Sequence, residues 1–305
     1  MSPPPAESAW LRSMPAVFVL IWSTGFIVAK FGLPYAPPLS FLALRYVFSI
    51  ACFLIWIVLA RAVWPSSREQ CLHLAVTGVL MHAGYLGGVW MAVKAGMGSG
   101  LAALIVGLQP VLTAVWVSQL GASGAGDQTS RVSPRQWLGL VLGLGGLLLV
   151  VARKFGAGSE VTMLTLGATV FALLSITAGT LYQKRFIKSA DVRTANVIQL
   201  AAALLVTLPL ALLETEAIVW NGAFLGAMAW AVLALTLGGS SLLYLLIQRG
   251  AATAVTSLLY LVPPTTALMA WVLFDEAITV MTILGTALTA LGVSLVVRPA
   301  KPESA

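Results

Sequence analysis

Few residues in this chain can do chemistry, and most of them lie where water is scarce. Arg45 stands about 10 Å inside an apolar run spanning residues 39–59, at the helical rise of about 1.5 Å per residue. A charge at that depth is costly and is a functional hypothesis by default. Two readings are open: the guanidinium clamps carbonyls at broken helix ends, or it binds a carboxylate of a ligand. Its planar fork of donors suits either. His82 lies near the middle of the run 72–93 and is the one group at such depth whose ordinary titration falls near physiological pH. It either carries protons or, as a neutral imidazole, hydrogen-bonds a neighbouring helix. No Asp or Glu falls inside any apolar run.

Other residues shape a site rather than react in it. Pro110, Pro263 and Pro264 each lack a backbone donor and interrupt the helical ladder. The freed carbonyls face a wet cavity, or the prolines only kink a packed helix. Trp22, Tyr85, Trp90, Tyr182, Tyr244 and Tyr260 are candidates for an aromatic pocket, with two or three of the six expected there. Trp64 and Trp220, beside loops, read instead as interfacial belt residues. Gly139, Gly143 and Gly146 form a small-residue stripe that suits close helix packing, against the last apolar run. Gly25 and Gly179 suit a helix crossing at an axis relating the two halves.

The elements that hold these residues are membrane helices. Of 305 residues, 59% are hydrophobic and 9% charged, and mean hydropathy is +0.97. Soluble chains carry about 25% charged residues, so lipid is the main solvent. The net charge of +7 does not mark a nucleic-acid binder, because Lys and Arg are scattered at the ends of apolar runs rather than clustered on one face. Cys52 and Cys71 have neither disulfide nor metal spacing. Ten runs are read as spans: 14–33, 39–59, 72–93, 98–119, 136–152, 162–183, 194–213, 224–247, 252–273 and 279–297. The first is too long for a signal-peptide core and is retained. The runs are too long and continuous for barrel strands, so they are helices. Twelve Lys and Arg fall in the termini and the loops on one side, against Lys30, Lys94, Arg153 and Lys154 on the other. The positive-inside rule then puts both termini in the cytoplasm of a bacterial inner-membrane protein.

The chain also repeats itself. At an offset of 154 residues Gly25 meets Gly179, Lys30 meets Lys184, Gly96 meets Gly250, Pro110 meets Pro264 and Arg45 meets Gln199. The fifth runs match at an offset of 146, which places an insertion after Leu120. The halves are 14–153 and 162–298, each of five helices. An odd number inverts the second copy, giving an all-α membrane protein of two inverted five-helix repeats. Secondary transporters with that architecture bind substrate at the midplane, between the repeats.

Several segments resemble the drug/metabolite transporter superfamily, in its ten-helix form with paired EamA domains. Trp22-Ser23-Thr24-Gly25-Phe26-Ile27-Val28-Ala29-Lys30 is similar to that family's opening pattern, and Leu44-Arg45-Tyr46 to its second-helix signature. Leu108-Gln109-Pro110 and Leu261-Val262-Pro263-Pro264 resemble its mid-helix prolines, and Phe274-Asp275-Glu276 its closing acidic pair. The resemblance covers about residues 14–298. It implies export of a small metabolite from a central cavity lined by spans 1, 3, 4, 6, 8 and 9, with Gln109 among the cavity candidates. The sequence departs from the pattern at Gly121-Ala122, which stand where the first repeat should carry its own acidic pair.

The expected function is therefore a secondary transporter exporting an amino acid or similar metabolite, driven by a proton gradient or by exchange. Small multidrug-resistance relatives bind cations through a first-helix carboxylate that is missing here. No Walker loop, H-E-x-x-H or G-x-S-x-G motif occurs, which argues against ATP-driven or enzymatic chemistry. No cofactor is expected. A channel or a facilitative uptake carrier is the alternative. If His82 carries the coupled proton, H82Q removes the pH dependence of flux in proteoliposomes; unchanged pH dependence rejects that role.

Overall fold

The computed structural model describes residues 9–121, 134–154, 160–187, 190–242 and 261–297. Tyr244, Tyr260 and the stretch following Gly121 lie outside the described residues. Helices follow one another along the chain as α1 (Ala9–Gly32), α2 (Pro38–Ala60), α3 (Arg68–Lys94), α4 (Ser99–Val106), α5 (Gln109–Gly121), α6 (Pro134–Arg153), α7 (Met163–Phe186), α8 (Val192–Ala211), α9 (Gly222–Leu242), α10 (Val262–Phe274) and α11 (Val280–Val297). Among the described residues, six helical stretches are long and apolar enough to cross a membrane. They are Pro38–Ala60, Arg68–Lys94, Ser99–Trp116, Met163–Phe186, Val192–Ala211 and Gly222–Leu242. Shorter apolar helices cover Ala16–Gly32, Trp137–Ala152, Val262–Phe274 and Val280–Val296.

Local chemistry sets the helix ends. Pro37 precedes α2 in an extended conformation and Pro38 opens its first turn, where a missing N–H costs nothing. Thr162 and Thr165 form a reciprocal capping box on α7. Asn221 caps α9 and Asp191 caps α8, each accepting from a first-turn N–H. Hydrogen bonds from the Arg193 side chain hold the Asp191 carboxyl below the usual carboxylate range. Asp275, at φ 53°, stops α10 in the left-handed region. Pro110 falls in the first turn of α5, after a break at Gly107 and Leu108. Pro263 and Pro264 fall in the first turn of α10 as described.

Two helices depart from α geometry. α3 is π-helical over Val79–Gly84 and α9 over Trp230–Gly238. Such segments often occur at functional sites. Shifting the first by the 154-residue offset places it on residues 233–238, inside the second.

Small residues set the tightest packing. α6 lies against α11 through glycines: a Cβ added at Gly139 would stand 2.5 Å from the Gly292 carbonyl oxygen, and one at Gly146 2.5 Å from that of Gly285. α2 packs on α8, α3 on α7 and α8, and α1 on α9 and α10. The Gly179 backbone meets Met81 and Leu80 of the α3 π-helical segment, whereas a Cβ added at Gly25 would make only an ordinary contact with Leu235, at 3.8 Å. The core is aromatic where α2, α3 and α9 meet, with Phe41 4.5 Å from Trp90 and 5.6 Å from Phe224. The outside is apolar: Val58, Leu59 and Leu205 are about three-quarters exposed.

G146V forces a branched side chain into the Gly285 backbone and should cost about 1–3 kcal/mol, read as a lower thermal midpoint in detergent. G145A, which meets nothing within 4 Å, should leave the midpoint unchanged.

Candidate functional site

A cavity of roughly 760 Å³ of empty space, mouth included, lies among the helices. α1 contributes Trp22, Gly25 and Phe26, α2 Arg45, α3 His82, Tyr85 and Trp90, α7 Ile176, and α9 Leu235, Thr236 and Ser240. A second pocket of roughly 450 Å³ shares Trp22, Phe26, Tyr85 and Ile176, and extends to Gln109, Pro110 and Val262. The two are neighbouring lobes around the same four side chains. Apolar walls with a few convergent polar groups suit small organic ligands.

Arg45 supplies the charge. It is 8% exposed, and its Nε donates to Thr236 Oγ1 at 3.1 Å. Thr236 in turn donates to the Ala231 carbonyl at 2.9 Å, and Ser240 donates to the Thr236 carbonyl at 2.6 Å. The first of these bonds reaches back five residues, the π-helical spacing. His82 stands in the π-helical segment of α3. Its carbonyl accepts from Tyr46 Oη at 2.9 Å. The two π-helical segments thus present His82 and Thr236 to one cavity that also holds Arg45.

The other sequence candidates distribute as follows. Trp22 and Tyr85 border both lobes. Trp90 borders the first lobe but is 1% exposed. Gln109 Nε2 donates to Thr180 Oγ1 at 2.9 Å, tying α5 to α7. Pro110 borders the second lobe, as does Val106, whose carbonyl an N–H at position 110 would have engaged. Pro263 is packed on Gly107, where an added Cβ would stand 2.6 Å from its ring. Pro264 lines a separate apolar groove between α10 and α11. Tyr182 stands elsewhere: its hydroxyl is 2.7 Å from His73 Nδ1, and Phe186 stacks on that imidazole at 4.7 Å. This cluster joins α3 to α7 at the end of the bundle remote from Lys30.

Sequence reasoning missed Thr236 and Ser240. Their signal was a pair of hydroxyls four apart in an otherwise apolar run, which a packing role would also produce. It also omitted α2 from the wall, although Arg45 reaches the cavity from there.

At the Lys30 end, one carboxylate gathers three helices. Glu276 accepts from Lys30 Nζ at 2.7 Å, Ser99 N at 2.9 Å and Gly100 N at 3.3 Å. It therefore neutralises the end of α1 and caps the N-terminus of α4, where helix dipoles favour an anion. Ser99 Oγ donates to the Phe26 carbonyl at 3.1 Å, and Thr266 Oγ1 to that of Ser23 at 3.3 Å. Glu214 caps α2 in the same manner, accepting from Leu39 N at 3.0 Å and Ser40 N at 2.7 Å. α1, α4 and α10 are drawn together beside the cavity.

Long apolar helices around a cavity with one buried cation define a multi-pass membrane protein with the anatomy of a transporter. A family model described as the EamA-like transporter family matches residues 14–152 and again 163–298, and the chain belongs to that family. The family and the names of its relatives point to a membrane transporter rather than an enzyme. A "Probable amino-acid metabolite efflux pump" of Salmonella typhimurium is 26% identical over 63% of this chain and 59% of its own length. The match thus spans about three-fifths of that relative. An "Uncharacterized transporter" of Archaeoglobus fulgidus is 22% identical over 92% of this chain and 94% of its own. A protein crystal structure with 20% identity shares the fold, with a TM-score of 0.62 over 95% of this chain and 98% of that one.

A double-mutant cycle of E276Q and K30Q should give a coupling free energy of about 1 kcal/mol or more, read from thermal unfolding in detergent. Additive effects would mean that the pair contributes nothing beyond its separate contacts.

Proposed function

We propose that this chain is a secondary transporter of the inner membrane that exports an amino acid or similarly small metabolite by alternating access. Its ten spans, with α4 and α5 forming one, make two inverted five-helix repeats over 14–153 and 162–298. Both termini lie in the cytoplasm, and the substrate occupies the cavity around Arg45. The observation that carries this reading is the cavity itself: it lies between helices of both halves, with a π-helical segment from each half in its wall. The pairing of α6 with α11, α2 with α8, and α4 with α10 supports a two-fold relation between the repeats, since each pair joins equivalent spans. The name borne by the Salmonella relative supports the amino-acid class and the outward direction.

Alternating access requires one end to be shut while the other is open. The junction of Lys30, Glu276 and the α4 N-terminus supports a closed state at its end, and substrate release there requires those contacts to part. Energy comes from a proton gradient or from exchange, with His82 as the titratable group in the cavity wall.

The test is flux in proteoliposomes loaded with labelled amino acids, sugars or amines. The transporter predicts saturable flux that is stimulated by unlabelled substrate on the opposite side. Flux linear in concentration and indifferent to counter-substrate would make the protein a channel instead.

A further inference from the structure

We infer that the cavity seats a single carboxylate of its substrate on the Arg45 guanidinium, that Thr236 positions the guanidinium for this contact, and that organic cations are rejected. The inference deepens the proposed function and rests on the cavity being the substrate site.

The first ground is an imbalance of charge. Among the described residues every ion pair lies at a helix end: Lys30 with Glu276, Lys94 with Glu216, Lys154 with Glu160, Arg193 with Asp191, and His73 with Glu69. Among the described residues Arg45 alone is a cation inside the helical bundle, and its one partner there is the neutral hydroxyl of Thr236. The described wall of the cavity contains no Asp, Glu or Lys, and the sequence places no acid in any apolar run, including 243–260. A buried charge without a counter-charge is strongly disfavoured. An anionic ligand supplies what the protein leaves out.

The second ground is geometry. The Thr236 hydroxyl commits its proton to the Ala231 carbonyl, so toward Arg45 it can only accept. That bond occupies Nε and fixes the plane of the guanidinium. Both terminal nitrogens remain, and their parallel N–H groups match the two oxygens of a carboxylate. One guanidinium neutralises one carboxylate. A phosphate dianion or a dicarboxylate would leave a net negative charge in the cavity. A cation that carries no carboxylate would add a second positive charge with no acid to receive it, whereas an amino acid brings the counter-charge for its own ammonium. The rest of the wall, chiefly Trp22, Phe26, Tyr85 and Leu235, offers apolar surface for the remainder of the ligand.

The test uses the full-length protein in lipid nanodiscs and in proteoliposomes. Binding and flux are measured for phenylalanine, leucine and hydrocinnamate, and for the amide of each. The acids should bind and move, while the amides, lacking the carboxylate, should be about ten- to a hundredfold weaker. R45Q should remove this preference without abolishing monodisperse folded protein, and R45K should restore part of it. T236V should raise KM for the acids and leave kcat nearly unchanged, while T236S should behave as the unmodified chain. Amides that bind as tightly as their acids would overturn the carboxylate seat while leaving transport intact. Failure of all six probes to bind or move would overturn the seat together with the reading of the cavity as an amino-acid site. A preference unchanged in R45Q would move the seat to another residue, and a T236V protein with unaltered KM would remove the positioning role.

Discussion

Hydrocarbon cannot hydrogen-bond, and everything in this structure answers to that constraint. Each backbone group must find a partner within its own helix, at a cap, or at a wet surface. Each charge must be paired, moved to a helix end, or left to a ligand. The described ion pairs follow the second option, lying where helices terminate. Pro38, Pro110, Pro263 and Pro264 follow the first, falling in opening turns, whereas Pro209 lies inside α8. Arg45 follows the third. It is the exception that the rest of the architecture isolates, and it is held in a cavity rather than in contact with lipid.

The same constraint explains the acidic residues at the Lys30 end. Glu276 and Glu214 act as distant caps, satisfying first-turn N–H groups of α4 and α2 that no local side chain reaches. Lys30 and Asp275-Glu276, which resemble two separate family signatures, meet there. Their physical role is to draw helix ends together. The left-handed Asp275 ends α10 so that the following carboxylate turns back toward α1 and α4. The sequence places Gly121-Ala122 where the first half would carry a matching acidic pair.

The site depends on irregular helix geometry. A π-helical turn frees carbonyls from their usual partners and rotates the side chains that follow. On α3 it places His82 in the cavity wall. On α9 it lets Thr236 donate five residues back and accept from Arg45. Regular helices would have preserved the backbone ladder but aimed these side chains elsewhere.

By itself the sequence determined that the chain is helical and lives in lipid, because hydropathy and run length admit no other solvent. It also marked Arg45, His82, Trp22 and Tyr85 as unusual for their depth or chemistry, and these four border one cavity. Composition can do this because the cost of a buried polar group depends on depth, which run position reveals. Other matters were decided only in three dimensions. Tyr182, equally aromatic, stands near the end of its run and faces His73 at the far end of the bundle, a partner that only the packing of α3 on α7 supplies. Pro264 lies outside both lobes although the residue it matches in the repeat, Pro110, borders one. Thr236 and Ser240 were invisible because hydroxyls in apolar helices commonly bond their own backbone, and only the π-helical turn directs one toward Arg45. Glu276 could be seen as an acid at a helix end, but its three partners come from 176, 177 and 246 residues away. Contacts across such separations are created by folding and leave no local trace.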